Sequence, residues 1–473
     1  MLSRHDLGVI ARDPALPGLV ILLDHGQALG LVQQLYPEHG ISDLSVSYLK
    51  YKPRTNCLAG FTAHTAHTAQ SVQNTEEPLQ ISAKAYPEKE YAKQRARYTK
   101  AGRAGQNGAE LLFIDAWQLV FWSFPRDRKI GVLNDLADAA GRRQILLDLL
   151  PEAPELPERT ELAQARLETL CYKSERRYVG RLVVEGEARA LIKVYEEGDF
   201  NNACKAAQSI SSFTAEDGLR LARPVALSQE KRIIVSQWLS GRPLRPQLFS
   251  AYAALQQNAN HEKNHILNQV QAIGAALAAF HRQRPGSLAA LAPENEALSV
   301  LAAANAAALL CPALATRLRR LATRIAAELL SGPVQSCPIH GDFSADQVLV
   351  DAGKENSIAI VDYDQARIAD PAVDFGSFMA QLLYDEAAGS LAVGSAERIG
   401  TTLLQGYLAA CGNGQGAPRK DLSRRSLYTA AKLLQLAPQG FRSRHALWPE
   451  LMARLLHSAT LHWKNHARSQ ARK

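Results

Sequence analysis

Residues 337–353 read CPIHGDFSADQVLVDAG, and the chain then runs into IVDYDQA at 360–366. His340 stands two residues before Asp342, and Gln347 follows five after it. Val348-Leu349-Val350 and Ile358-Ala359-Ile360-Val361 read as short apolar strands, and the DAGKENS between them offers Gly353 and Asn356 for a turn. In an antiparallel hairpin the start of the first strand lies beside the end of the second. Asp342, Gln347 and Asp362 would then gather at one end of a small sheet. Two carboxylates and a carboxamide suit a hard divalent cation such as magnesium, which leaves the rest of its shell to water and phosphate. A carboxylate near such an ion can accept the proton of a hydroxyl nucleophile. That is the minimum for phosphoryl transfer, where positioning and charge neutralisation do most of the work. A lone loop aspartate is ordinarily a turn former or helix cap. The order of Asp342 and Asp362 around two strands is what separates them from that reading. Asp364 is either a second metal contact or a surface acid in a turn.

The elements around this hairpin are mostly helical. Ile266, Val270, Ile273, Leu277 and Phe280 recur at spacings of four and three, as do Leu314, Leu318, Leu321 and Ile325. Alanine and leucine dominate 288–330 and raise helix propensity, and 419–463 repeats the amphipathic pattern. Upstream the sequence repeats itself. YLKYKPRTNCLAGF…LQISAKAY in the first part parallels TLCYKSERRYVGRL…ALIKVY in the second, so that Tyr51-Lys52 matches Tyr172-Lys173 and Lys84 matches Lys193. A helix-like segment and an apolar run follow each lysine, LVFWSF in one copy and RIIVSQWL in the other. The first copy also carries a longer polar excursion, HTAHTAQSVQNTEEP. This is a duplicated unit of antiparallel strands with one helix. The proline-rich PEAPELPERTE at 151–161 marks a linker. The expected organisation is an N-terminal duplicate at 1–150, a linker at 151–165, a sheet lobe at 166–241 and a helical lobe at 242–473.

The chain has 473 residues, 47% of them apolar, enough for two or three domain cores. No run approaches the ~20 uninterrupted apolar residues of a membrane span, and the N-terminus lacks the pattern of a secretion signal. The six cysteines are scattered singly, as cytosolic thiols are, so a cytoplasmic location is expected, without disulfides or a zinc site. Net charge is +8, and HWKNHARSQARK at the C-terminus reads as a solvated, frayed basic tail. No basic stripe interleaved with aromatics accompanies it, so no nucleic-acid partner is expected.

H-G-D-x4-Q followed by a strand, a turn and IVDYD resembles the aminoglycoside phosphotransferase/choline kinase group of protein-kinase-like enzymes. LAAFH at 277–281 and DPAVDFG at 370–376 match that group in order and spacing. The resemblance covers about residues 170–460; the first 150 join it only through the repeat. It implies an α+β, protein-kinase-like two-lobe fold: a small antiparallel sheet lobe plus a larger helical lobe, preceded here by an extra lobe-like α+β domain. It implies an ATP- and magnesium-dependent kinase acting on a hydroxyl of a sugar, amino sugar or amino alcohol. Asp342 would be the catalytic base, and Gln347 and Asp362 would hold Mg2+, with glutamine where the family usually has asparagine. His340 and Asp374 would support the loop. Lys193 would meet the ATP phosphates, and Gln237 and Leu239 in the VSQWLSG hinge would read the adenine edge through their backbone. The KSERR turn lacks the glycine that would cradle phosphate, and Ser174 with Arg176 would compensate. FNNACKAAQSISSF contains no glutamate to pair Lys193, leaving Glu196, Glu197 and Asp199 as the nearest acids. Those departures favour a rival reading, a pseudokinase-type module that binds nucleotide or a partner without turnover.

Overall fold

The computed structural model describes residues 2–65, 78–100, 111–150, 161, 164–216, 218–253, 260–331, 336–351, 357–412 and 422–471. The polar excursion at 66–77, most of the linker and the hairpin turn at 352–356 lie outside the described residues.

The chain opens with α1 (Arg4–Ala11), whose N-terminus is closed by a reciprocal Ser3–Asp6 capping box. Then follow α2 (Leu19–Leu23), α3 (His25–Leu35), β1 (Ile41–Lys52), β2 (Asn56–Thr65), β3 (Leu79–Ala85), α4 (Glu88–Lys100), β4 (Leu112–Ile114) and β5 (Leu119–Ser123). A similar series returns, without a counterpart of α1 and with β9 added, as α5 (Leu133–Ala137), α6 (Ala139–Leu149), β6 (Arg166–Lys173), β7 (Arg177–Val184), β8 (Glu187–Tyr195), α7 (Glu197–Ile210), β9 (Leu219–Leu221), β10 (Pro224–Ser228) and β11 (Ile233–Gln237). The two five-stranded sheets have matching orders, β1-β2-β3-β5-β4 and β6-β7-β8-β11-β10. Lys84 faces Leu58 across β2 and β3, and Lys193 faces Val179 across β7 and β8. The first strand of each sheet carries a register shift where it pairs with the second.

The duplication reaches further upstream than Tyr51 and Tyr172 suggest. α2 and α5 are five residues each, and α3 and α6 eleven each. Asp24 caps α3 by accepting from the Gln27 N–H, as Asp138 caps α6 by accepting from the Gly141 N–H. The second copy therefore begins near Arg126, ahead of the proline-rich stretch. Side chains ahead of that stretch bond backbone groups beyond it: Arg142 Nε on α6 donates to the Ala165 carbonyl at 3.3 Å, and the Asp127 carboxylate accepts from the Glu175 N–H at 2.7 Å.

Compactness divides the chain into two units elsewhere. The first comprises Met1–Gly198, Ala226–Val235 and Gln439–Trp448, so both sheets fall in it. Its core includes Phe61, Phe121 and Trp122, the last with no exposed surface. Residues 439–448, expected in the helical lobe, join this unit because Arg444 donates to Asp6 and to the Leu23 carbonyl at 2.9 Å each, and Trp448 Nε1 donates to Asp6 at 3.2 Å.

The second unit is Asp199–Val225, Ser236–Pro438 and Pro449–Lys473. It holds β12 (Arg242–Pro243), α8 (Leu244–Ala253), α9 (Asn260–His281), α10 (Pro293–Leu310), α11 (Ala315–Leu329), β13 (Cys337–Ile339), β14 (Val348–Val350), β15 (Ile358–Ile360), β16 (Arg367–Ala369), α12 (Ala372–Ala387), α13 (Ser395–Gly412) and α14 (Arg425–Leu436). α15 (Gln439–Arg442) belongs to the first unit, and α16 (Trp448–Gln470) ends the chain. The apolar faces read from spacing are buried: Val270, Ile273, Leu277 and Phe280 on α9, and Leu318 and Ile325 on α11, show no exposure. α9 and α13 touch backbone to backbone, since a Cβ on Gly274 would come within 2.1 Å of the Leu403 carbonyl. The basic terminal segment is not frayed. It continues α16 to Gln470, and His466 is buried and hydrogen-bonded to Glu328 at 3.1 Å.

One buried ion pair anchors the strand side of this unit. Arg245 on α8 donates to both oxygens of Asp385, which is 1% exposed, and to Asp346 at 2.9 Å. Removing the guanidinium leaves a buried carboxylate unpaired. Arg245→Met should therefore cost about 3 kcal/mol, read as a lowered urea midpoint with an unchanged slope. All six cysteines are free. Among the described residues no helix is long and apolar enough to cross a membrane.

Candidate active site

The hairpin predicted from sequence forms, with Val348 opposite Ile360 and Val350 opposite Ile358. It belongs to a four-stranded sheet of order β12-β14-β15-β9, in which β9 runs parallel to β15. The Val361 N–H donates to the Gln347 carbonyl at 2.9 Å, so Gln347 and Asp362 leave the hairpin at the same end. Asp362 has left-handed backbone (φ +65°, ψ +57°), unusual for a residue with a side chain but least costly for Asp and Asn. The short helical turn Tyr363–Gln365 follows directly, closed by the Ala366 N–H on the Tyr363 carbonyl.

The loop carrying Asp342 is held from beneath by Asp374 in the first turn of α12. The fully buried Asp374 carboxylate accepts from the His340 N–H and the Gly341 N–H at 2.8 Å each, and binds His281 Nε2 at 3.0 Å. His281 in turn reaches the Tyr407 hydroxyl through Nδ1 at 3.0 Å. Burial alone would push the Asp374 carboxyl up, but the His281 hydrogen bond and charge, with those of His340, hold it below the usual carboxylate range. His340, also fully buried, ties the loop to the end of β15 through Nε2 and the Val361 carbonyl at 2.8 Å. Its ring sits among Phe280, Phe343 and Tyr363, with centroids 5.9–6.3 Å away. Gly341 is required for a different reason. Its φ is +81°, and a Cβ there would lie 2.2 Å from the Gln365 carbonyl. Gly341→Ala should displace the loop, costing about 1–3 kcal/mol by thermal unfolding and removing most activity.

Asp342 itself is exposed to solvent. Protein nevertheless crowds its carboxyl on enough sides that desolvation raises its pKa, against the nearby charges of Lys432 and His340; the negative charge of Asp362 adds to the rise. Lys432 on α14 lies 3.7 Å from Glu296, which also accepts from Gln435 at 3.0 Å. Sequence reasoning missed Lys432, Arg367 and Glu296. In the sequence Lys432 is one cation on an amphipathic helix, and nothing in its spacing points to Asp342.

Asp362 and Gln347 are half-buried, and both offer hard oxygen donors at one end of the hairpin. Among the described residues no group of three or more His, Cys, Asp or Glu is arranged to hold a metal by itself. One carboxylate and one carboxamide, completed by phosphate and water, fit magnesium better than an all-protein cage would. A cavity of about 320 Å³ opens beside Asp364, Gln365 and Arg367, and Asn202, Lys205 and Asn295 complete its polar wall. Asp342, Gln347 and Asp362 do not line it.

The remaining candidates sit as follows. Lys193 is 8% exposed in the middle of the second sheet. Ser174 is buried, and its hydroxyl is turned to Asp127 at 3.4 Å and Tyr172 at 3.2 Å, not held out as a ligand group. The Gln237 N–H is taken by the Arg223 carbonyl at 2.9 Å, and Leu239 lies in the irregular segment after β11.

Comparison with known proteins bears on the second half of this description. No curated protein matches the chain. Among solved structures, a choline/ethanolamine kinase family protein from Mesorhizobium loti is 14% identical, with a TM-score of 0.45 over 70% of this chain and 97% of its own. A putative aminoglycoside phosphotransferase from Ralstonia eutropha is 14% identical, with a TM-score of 0.46 over 70% of this chain and 98% of its own. A macrolide 2'-phosphotransferase from Brachybacterium faecium is 14% identical, with a TM-score of 0.39 over 66% and 96%. Residues 177–412, which hold the His340–Asp342 loop, the hairpin and Asp374, match the family model described as the phosphotransferase enzyme family. Over that segment the chain is similar to the phosphotransferase enzyme family, on an α+β architecture of antiparallel sheets and helices.

Proposed function

We propose that the protein transfers the γ-phosphoryl group of ATP to a hydroxyl of a small molecule, in the class of sugars, amino sugars or amino alcohols. The observation that carries this reading is that the Asp342 loop, fixed by Asp374, is tied through His340 to Val361 at the hairpin end that carries Gln347 and Asp362. Asp342 accepts the proton of the acceptor hydroxyl. The acceptor oxygen bonds to the γ-phosphorus as the bond to the β–γ bridging oxygen breaks, and ADP leaves. Asp362 and Gln347 are the residues to hold Mg2+, which neutralises phosphate charge when bound. Lys193 is assigned to the ATP phosphates, and the Leu239 backbone to the adenine edge. His340 and Asp374 orient the loop and touch neither substrate.

The test is ATP consumption across a panel of hydroxyl compounds, with Asp342→Asn as the control. Turnover on at least one acceptor, lost in the variant, supports the reading. No turnover on any acceptor, together with nucleotide binding that ignores magnesium, overturns it in favour of a binding module without catalysis.

A further inference from the structure

The duplicated lysine of the first copy has a partner, and the partner comes from the second copy. Lys84 Nζ meets Glu175 Oε2 at 2.5 Å, and Arg128 Nη1 lies 3.7 Å from Glu175 Oε1. The Glu175 side chain is 9% exposed and that of Lys84 13%. Arg128 lies over the rings of Tyr86 and Trp122, at 5.8 and 5.6 Å, so the site is a basic pocket walled by aromatics. Burial pushes the Lys84 ammonium down while Glu175 holds it up, the pattern of an enclosed cation with one committed counter-charge.

Glu175 lies at the tip of the KSERR turn between β6 and β7, with left-handed backbone (φ +56°) that glycine would adopt more readily. Asp127 holds this backbone. Its Oδ2 accepts from the Glu175 N–H and the Tyr172 hydroxyl at 2.7 Å each, while Oδ1 accepts from the Lys129 and Ile130 N–H groups. The first copy has the same latch. Asp13 Oδ2 accepts from the Tyr51 hydroxyl and the Arg54 N–H at 2.8 Å each, and Arg54 also has positive φ (+58°). The copies differ in the residue at the tip. Arg54 is exposed, whereas Glu175 is drawn into the lysine site of the other copy.

We propose that the N-terminal copy is a clamp that positions the phosphate-side turn of the second sheet, with Lys84, Arg128 and Asp127 as positioning residues acting through Glu175. The first copy's lysine site takes a carboxylate from the same chain in place of a nucleotide phosphate. The turn, lacking a glycine, keeps its tight conformation because these residues fix both its backbone and its tip. The inference rests on the phosphotransfer reading for its effect on ATP, and on the geometry alone for its effect on the turn.

A double-mutant cycle with Lys84→Met and Glu175→Gln tests it, with steady-state kinetics and backbone hydrogen exchange at 174–177 read together. Each single variant should raise KM for ATP about tenfold with kcat within about twofold, and the double variant should do no more than either single one. Exchange at the turn should speed up in each variant while the core strands keep their protection. The proposal is overturned if KM and turn exchange are unchanged in both singles, if their effects simply add, or if exchange rises across the whole sheet. Should Lys84→Met fail to fold, Glu175→Gln, which keeps the side chain's shape, carries the test. Should the wild type neither bind nor consume ATP, the phosphotransfer reading falls, and turn exchange still decides the clamp.

Discussion

Asp342→Asn should lower kcat by about 10³-fold while leaving ATP affinity within a few-fold and the fold intact. In the proposed mechanism the size follows from removing the general base, since His340 is committed to the Val361 carbonyl and Asp362 is assigned to the metal. The same carboxyl makes a prediction about pH. Desolvation, with the Asp362 charge adding to it, raises its pKa, and a base must be deprotonated to work. The acid limb of kcat/KM should therefore lie above the ordinary aspartate value of about 3.9. A group whose folded pKa is raised binds its proton more tightly folded than unfolded, so its charge at neutral pH weakens the fold. Asp342→Asn should consequently leave the melting temperature at pH 7 unchanged or raise it. A variant that lost activity only by melting would refute the assignment of Asp342 as base.

Asp374→Ala should do the opposite and unfold the site before any chemistry can be measured. It strips the acceptor from the His340 and Gly341 N–H groups and from His281 in a site with no exposed surface. Leaving buried donors unpaired costs about 1–3 kcal/mol apiece, so a total of about 3–5 kcal/mol is expected once relaxation is allowed for. The measurement is the urea midpoint of the second unit, followed through an amide in α12. The folded pKa of Asp374 is depressed, so its contribution is fully present above the unfolded value of about 3.9 and is lost as pH falls through the lower folded value. Asp374→Asn keeps one acceptor and should flatten the loss of stability over that acid window. An acid-unfolding curve identical to wild type would show that Asp374 does not titrate as this network requires.

Much of the catalytic segment was legible before any coordinates. The hairpin is local: its strands are close in sequence and apolar throughout, so their pairing and the placement of Gln347 beside Asp362 follow from short-range geometry. The helices of the second unit were legible from spacing, since each needs only one buried face. Long-range contacts were not: Arg142 and Asp127 reach past the prolines at 151–161 to bond Ala165 and the turn at Glu175. The basic terminal segment misled for a similar reason. Its charge suggested a solvated end, while His466 and the apolar face of α16 are covered by helices far away in the chain.

The sequence by itself determined the family resemblance, the apolar faces and the order of Asp342, Gln347, Asp362 and Asp374 along the chain. These depend on residue type and on spacings short enough for the backbone to impose. The tertiary structure alone decided which polar groups satisfy one another. Lys84 meets Glu175 across 91 residues, and His281 meets Asp374 across 93. A buried charge or N–H must find a partner wherever the fold brings one near, and nothing local to either residue specifies which it will be. The repeated lysine thus marked a duplicated strand in the sequence, and only the fold pairs it with Glu175 in the turn of its twin.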